Sequence, residues 1–301
     1  MIIRNIYVII NNFSTRRKNK NRKGGRRVFS EKDHTFVVCA YKENPMLEKT
    51  IKSLLKQSKK SHIIVSTSTP NSYIQNICKK YQLPLKINEG ESSIAKDWNF
   101  GYGQADTALV TIAHQDDIYE SNFLEEVLKK ANEQMLICFT DYYEIRNNHA
   151  IKNNYLLNIK RMMQIPLRIS YFRKVKWIRK TILRFGNPIC CPSVTLNKRL
   201  LGNHIFDTKY KNSCDYKTWV KIADKKGEYI YIAKCLMGHR IWQGSTTSYN
   251  IDNKIREKED LEIMETLWPK SIARGINRLY QLGEKSNKKK ERNKKKREWR
   301  K

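Results

Sequence analysis

An alternation of two kinds of segment constrains this chain most. Apolar, largely β-branched runs at 35–40, 62–65, 85–87, 107–113 and 135–140 are too short for buried helices. They also lack the strict polar-apolar alternation of half-exposed strands, so they read as strands covered on both faces. Between them, apolar residues recur at helical spacing: Leu47, Ile51, Leu54 and Leu55; Ile74, Ile77, Cys78 and Tyr81; Ile94, Ala95 and Trp98; Phe123, Leu124, Val127, Leu128 and Ala131. Asn44 with Pro45, Ser92 or Ser93, and Ser121 supply helix-start signals. A helix over 216–225 and a strand over 229–233 follow later, and no internal repeat is present. This β-α-β-α order predicts an α/β fold with a mainly parallel sheet and helices on both faces.

The fourth apolar run ends abruptly in His114-Gln115-Asp116-Asp117. Adjacent carboxylates at the C-terminal mouth of a buried parallel strand lie where open α/β sheets bind ligands. Two like charges placed together are costly unless a cation holds them. The competing reading is a polar turn ahead of a helix cap.

The 301 residues and 40% apolar content support one large domain or two small ones. Seven cysteines, an odd number with no C-x-x-C pair, point to reduced, buried thiols and not to a disulfide framework or zinc site. No apolar stretch reaches transmembrane length. The run at 2–13 contains Arg4 and Asn5 and ends without a small-residue cleavage site, so no signal peptide is expected.

The net charge of +31 is concentrated in three places. Segment 14–27 holds eight Lys or Arg and no acid; 151–184 holds ten and no acid; 285–301 holds eleven against two Glu. The rest of the chain carries only about +4 by the same count, so the folded body is nearly neutral. The first segment has no apolar residue and reads as a disordered linker. The last is a polybasic tail with the single Trp299. The middle one interleaves its charge with Leu156, Leu157, Met162, Phe172, Trp177 and further apolar residues, broken only by Pro166. A basic amphipathic segment of this kind suits an anionic membrane surface. The alternative is an ordinary helical pair packed on the core with a solvated basic face. The expected division is 1–33 as N-terminal strand and basic linker, 34–250 as the main domain with the basic insertion at 151–186, 251–284 as C-terminal helices, and 285–301 as a disordered tail.

Five stretches now acquire a meaning together: 36–41, the helix opened by Asn44 and Pro45, Gln115 to Asp117 after the fourth strand, Cys214 to Trp219, and His239 to Ser248. In this order they resemble family 2 glycosyltransferases of GT-A fold, over roughly residues 34–250. The resemblance implies an inverting, hexosyltransferase-type enzyme that draws on a nucleotide diphosphate sugar. The acceptor it implies is a glycan or lipid-linked molecule in cell-envelope polysaccharide synthesis of a bacterium. It implies a divalent cation, Mn2+ or Mg2+, on Asp116, with His239 as a second ligand. It places the general base on Asp215, and nucleotide-sugar contacts on Ala40, Tyr41, Glu43, Ser66, Asp97, Asp117 and Arg240. Asp215 otherwise reads as an acid favoured by a helix N-terminus, and Glu43 as a first-turn acid.

The chain departs from the family pattern at three positions. His114 stands where an acid is usual, so the metal site has fewer carboxylates or uses the imidazole. Ser66 replaces the acid that usually recognises the nucleobase. The late Arg-x-His signature reads Arg240-Ile241-Trp242, with His239 immediately before the arginine. With the charge map, the expected setting is cytoplasmic, peripheral on the inner face of the plasma membrane, with no specific nucleic acid as partner. Two rival readings remain: a basic nucleic-acid-binding protein, and a catalytically degenerate GT-A module.

Overall fold

The computed structural model describes residues 28–241 and 255–278. The run at 2–13, the 14–27 linker, the 285–301 tail and the 242–248 part of the late motif lie outside the described residues. Strands β1 (His34–Ala40), β2 (His62–Thr67), β3 (Leu85–Ile87) and β4 (Leu109–His114) pair in parallel. They continue through β5 (Ile118–Tyr119), β6 (Met135–Arg146), β7 (His149–Ile151), β8 (Val194–Asn197) and β9 (Glu228–Arg240) into one mixed sheet. The order is β3-β2-β1-β4-β8-β6-β9-β5, with β7 pairing antiparallel to the Glu144–Arg146 end of β6.

The α/β class and the parallel β1–β4 half follow the reading of the apolar runs. The other half differs for physical reasons. Strand β8, only four residues long, sits antiparallel between β4 and β6 and was not foreseen. Strands β6 and β9 run 12 and 13 residues, about twice the apolar stretches that announced them. Their far ends carry Asp141, Glu144, His239 and Arg240, whose polarity hides them from an apolar-run search. Register shifts around Thr140, Asp141 and Tyr142 bend the β6–β9 ribbon there.

Helices α1 (Leu47–Leu55), α2 (Ser72–Lys80) and α4 (Phe123–Lys130) bury their apolar stripes on one face of the sheet. Helix α3 (Ile94–Gly103), on the other face, shares a core with α6 (Lys176–Leu183), α7 (Cys214–Ile222) and α8 (Ile255–Glu265). Two of the start signals read from sequence act as such: Asn44 Oδ1 accepts from Met46 N–H, and Ser93 Oγ from Lys96 N–H. Asn71 Oδ1, accepting from Ile74 N–H, is a further cap that was not foreseen. Ser121 is different. Helix α4 starts at Phe123, and the N–H of Leu124 is taken by Gln57 Oε1 at 3.0 Å, from beyond the end of α1. All seven cysteines are free.

The basic insertion is α5 (Tyr155–Gln164), two 3-10 turns and α6. Leu157, Leu167, Ile182 and Leu183 bury inward. Arg179, fully buried, donates to the carbonyls of Gly227 (2.6 Å) and Lys225 (2.8 Å) and lies over the Tyr229 ring. Helix α8 clamps the start of α7: Glu259 accepts the backbone N–H groups of Lys211, Asn212 and Ser213, and Asp260 accepts the Ser213 hydroxyl at 2.7 Å.

Candidate active site

The C-terminal ends of β1, β2, β4, β6 and β9 point the same way, because β8 runs antiparallel to both β4 and β6. Most of the residues singled out from the sequence lie at that end. They form three groups.

The first group joins the loops after β1 and β2 to α3. Gln115 makes two hydrogen bonds to the Tyr41 backbone, accepting its N–H at 2.9 Å and donating to its carbonyl at 3.1 Å. Lys42 adopts a left-handed φ of 53°, and its N–H donates to Thr69 Oγ1 at 2.6 Å. The Asp97 carboxylate accepts from Ser68, Ser92 and Asn88, all at 2.9–3.0 Å, so it ties the loops after β2 and β3 to α3. Tyr41 and Glu43 are exposed at the mouth, and Ala40 is buried beneath them. Ser66, named from the sequence as a nucleotide-sugar contact, is 2% exposed; its hydroxyl donates to Cys39 Sγ, and a side chain on Gly101 of α3 would meet it at 2.5 Å. Ser68, two residues on, is half-buried at the end of β2.

The second group lies between β4 and the end of β9. Asp117 is fully buried. Its carboxylate meets His239 Nδ1 at 3.1 Å, accepts the Arg240 N–H at 2.8 Å, and lies 3.7 Å from His114 Nδ1. Burial alone would push its carboxyl up, but the imidazole of His239 and the Arg240 N–H outweigh this and hold it low. Burial alone would lower His239, and Asp117, aided by Asp116 and Glu144, raises it instead. Asp117 thus faces inward and braces the β9 end. Asp116, beside it, is half-buried and sits close enough to bias His239. The Arg240 guanidinium donates to the Asp116 carbonyl at 3.0 Å and to Asn148 at 3.2 Å. His114 stacks on Trp98 with ring centroids 5.0 Å apart; burial pushes it down to about 4, so the ring is neutral. It packs as an aromatic plate.

Asp215 anchors the third group. Its Oδ1 accepts the Tyr216 N–H at 2.7 Å and its Oδ2 the Asn187 amide at 2.8 Å. Burial pushes the carboxyl up to about 6, opposed by the Tyr216 N–H, Arg256 and Asn187 and reinforced by Asp260. A carboxylate with this value is poised to take a proton near neutral pH. Asn187, at the end of the insertion, carried no signal in the sequence.

A divalent ion would find one carboxylate, Asp116, and one imidazole, His239. Because Nδ1 of His239 is committed to Asp117, its Nε2 is the nitrogen oriented for a ligand role. Among the described residues no three His, Cys, Asp or Glu side chains form a preassembled metal cage. Two protein ligands completed by substrate phosphate oxygens are an ordinary arrangement for such ions, so the residues fit one.

Residues 35–199, more than half of the chain, match the family described as Glycosyl transferase family 2. No curated protein matches the chain. Among solved structures, the chain resembles S. aureus TarS 1–349 in complex with UDP-GlcNAc at a TM-score of 0.54 and 16% identity, over 81% of this chain and 70% of that one. It resembles the mannosyltransferase PcManGT from Pyrobaculum calidifontis, in complex with GDP-Man and Mn2+, at 0.53 and 15%, over 86% and 69%. Against the longer S. aureus TarS chain the score is 0.52 at 13% identity, and the match covers 42% of that chain. At such identities the likeness is one of fold.

Proposed function

The chain belongs to glycosyl transferase family 2, and from that premise we propose that it moves a hexose from a nucleotide diphosphate sugar to a hydroxyl of a glycan or lipid-linked acceptor, with inversion, in cell-envelope polysaccharide synthesis. The observation that carries this reading is the placing of two different groups at one end of the sheet: Asp116 with Arg240 and His239 beside it, and Asp215, held by Asn187 and the Tyr216 N–H and raised to about 6 by burial. An acid flanked by cationic groups suits a cation and a diphosphate, and a raised carboxyl suits a base.

In this mechanism Asp215 accepts the acceptor hydroxyl's proton as its oxygen forms the new bond to the anomeric carbon. The bond from that carbon to the diphosphate oxygen breaks, and its electron pair leaves with the nucleotide. The Asn187 and Tyr216 contacts aim the carboxylate. Asp116 and the Nε2 of His239 would hold the divalent cation, Mn2+ or Mg2+, which offsets charge on the departing diphosphate. Arg240 adds a permanent positive charge at the same place. Tyr41, Glu43, Ser68 and Asp97 border the base and ribose end. The setting that suits such an acceptor is the cytoplasmic face of the plasma membrane; among the described residues no helix is long and apolar enough to cross a membrane.

Thermal unfolding in a panel of UDP-, GDP- and dTDP-sugars tests the reading, since a bound donor raises apparent stability. One donor should raise the midpoint only when Mn2+ or Mg2+ is present. If no nucleotide sugar shifts the midpoint with either metal, the proposal fails.

A further inference from the structure

Seven of the thirteen large apolar side chains exposed among the described residues fall between 155 and 185. Tyr171, Tyr155, Met162 and Trp177 lead them at 71%, 66%, 61% and 60% exposure. Soluble surfaces rarely concentrate apolar groups in this way without a partner. The inward residues Leu157, Leu167, Ile182 and Leu183 already supply the insertion's packing, so the outward set is not needed for folding. Tyr155 and Met162, two turns apart, form one stripe on α5. Of the ten Lys or Arg in 151–184, Lys152, Arg168, Lys174 and Lys176 are exposed beside these side chains and Arg179 is buried; the segment holds no acid.

The insertion's path gives this surface a direction. It leaves the site rim at α5, where Lys160 Nζ donates to the Tyr142 hydroxyl at 3.1 Å and Arg161 grips Asp141 at 2.7 Å. It passes the opposite end of β9, where Lys174 pairs with Glu228 at 3.6 Å. It then returns to the rim at Asn187, which holds Asp215. We propose that the outward face of this insertion, which runs from the site rim to the opposite end of β9 and back, docks on an anionic lipid bilayer alongside the site. The charge is complementary to anionic headgroups, and the exposed Met162, Ile165, Ile169 and Trp177 suit the apolar layer just beneath them. A nucleic-acid backbone would satisfy the charge and leave the aliphatic side chains in water. The consequence for a lipid-linked acceptor rests on the function proposed above; the docking does not.

Flotation of the full chain with phosphatidylcholine vesicles, alone or mixed with phosphatidylglycerol, is the test. Binding to the mixed vesicles should be stronger by about tenfold or more, at about fivefold for each basic side chain engaged. Trp177→Ser combined with Tyr171→Ser keeps every charge, including those of the tail, and should weaken binding by about tenfold. Lys152→Glu with Lys176→Glu should weaken it further. All four side chains are exposed, so unfolding midpoints should stay unchanged. Equal binding to both vesicle types, or full binding by the apolar double variant, overturns the proposal. So does absent flotation beside tight binding of single-stranded RNA. Donor-induced thermal shifts in the same variants read the catalytic proposal separately: lost flotation with an intact shift leaves the site reading standing, and the converse leaves the docking standing.

Discussion

Replacing Asp215 by Asn separates the function of this carboxylate from its cost. Burial raises it to about 6 in the folded protein, against about 3.9 in an unfolded chain. At about 1.4 kcal/mol per pH unit, the ionised side chain costs the fold about 3 kcal/mol above pH 6. Between about pH 4 and about pH 6 the native state keeps a proton that the unfolded chain has released, so this group makes stability fall as pH rises. Asn removes that dependence. It also places its NH2 against the Asn187 amide, whose Nδ2 now donates to Asp215 Oδ2 at 2.8 Å. Turning Asn187 over restores the pair but forfeits the Asn187 Oδ1 contact with the Ile189 N–H at 3.1 Å, worth about 1 kcal/mol. The variant should therefore be more stable than the parent by about 2 kcal/mol at pH 8, a midpoint rise of a few degrees, and no more stable near pH 4. Transfer should fall by about two orders of magnitude or more while donor binding survives. The measurements are apo-protein thermal unfolding across that pH range and steady-state transfer. A stability difference that does not change with pH would refute the buried, raised carboxyl. Near-normal transfer with lost donor affinity would refute its role as base.

Transfer itself should be half-maximal near pH 6 and drop about tenfold one unit lower, and Asn187→Ala should move that limb upward; a limb near pH 4 would mean an ordinary solvated acid. Asp116→Ala should abolish turnover and metal-dependent donor binding with an unchanged unfolding midpoint, and activity in excess chelator would reject the assignment. Asp117→Ala leaves a half-buried imidazole and the Arg240 N–H without their acceptor, so it should cost about 2–3 kcal/mol and show as a lowered unfolding midpoint before any kinetic effect. Deleting 285–301 should weaken vesicle binding in a salt-dependent way and leave metal-dependent donor hydrolysis intact; reduced hydrolysis would tie the tail to the site.

Much of this protein was readable before any coordinates. Buried parallel strands announce themselves as continuous apolar runs, and β1, β2, β3 and β4 formed where such runs stood. Asn44 and Ser93 act within two or three residues of themselves, so local chemistry sufficed for them. The ordered motifs led to the family, and Asp116 and Asp215 came to one end of one sheet. What failed were judgements on polar residues whose partners are far away in sequence. Ser121 looked like a cap, yet Gln57, 67 residues from Leu124, supplies the bond. Likewise nothing near Asp117 in the sequence announces that its carboxylate would be held by His239 and Arg240, more than 120 residues on.

The division follows from the range of the forces. Helix caps, strand runs and charge segregation depend on residues within a turn or a strand of one another, so the chain determined its α/β class, its strand and helix order and its three basic segments by itself. Which carboxylate is ionised, which is raised, and which side chain faces a ligand depend on burial and on partners brought in by other strands. Only the closing of β9 against β5 and β6 decided that His239 would meet Asp117. Only the return of the insertion decided that Asn187 would hold Asp215. A sequence carries the identity of these groups, but the low-dielectric surroundings that set their chemistry exist only once the sheet has formed.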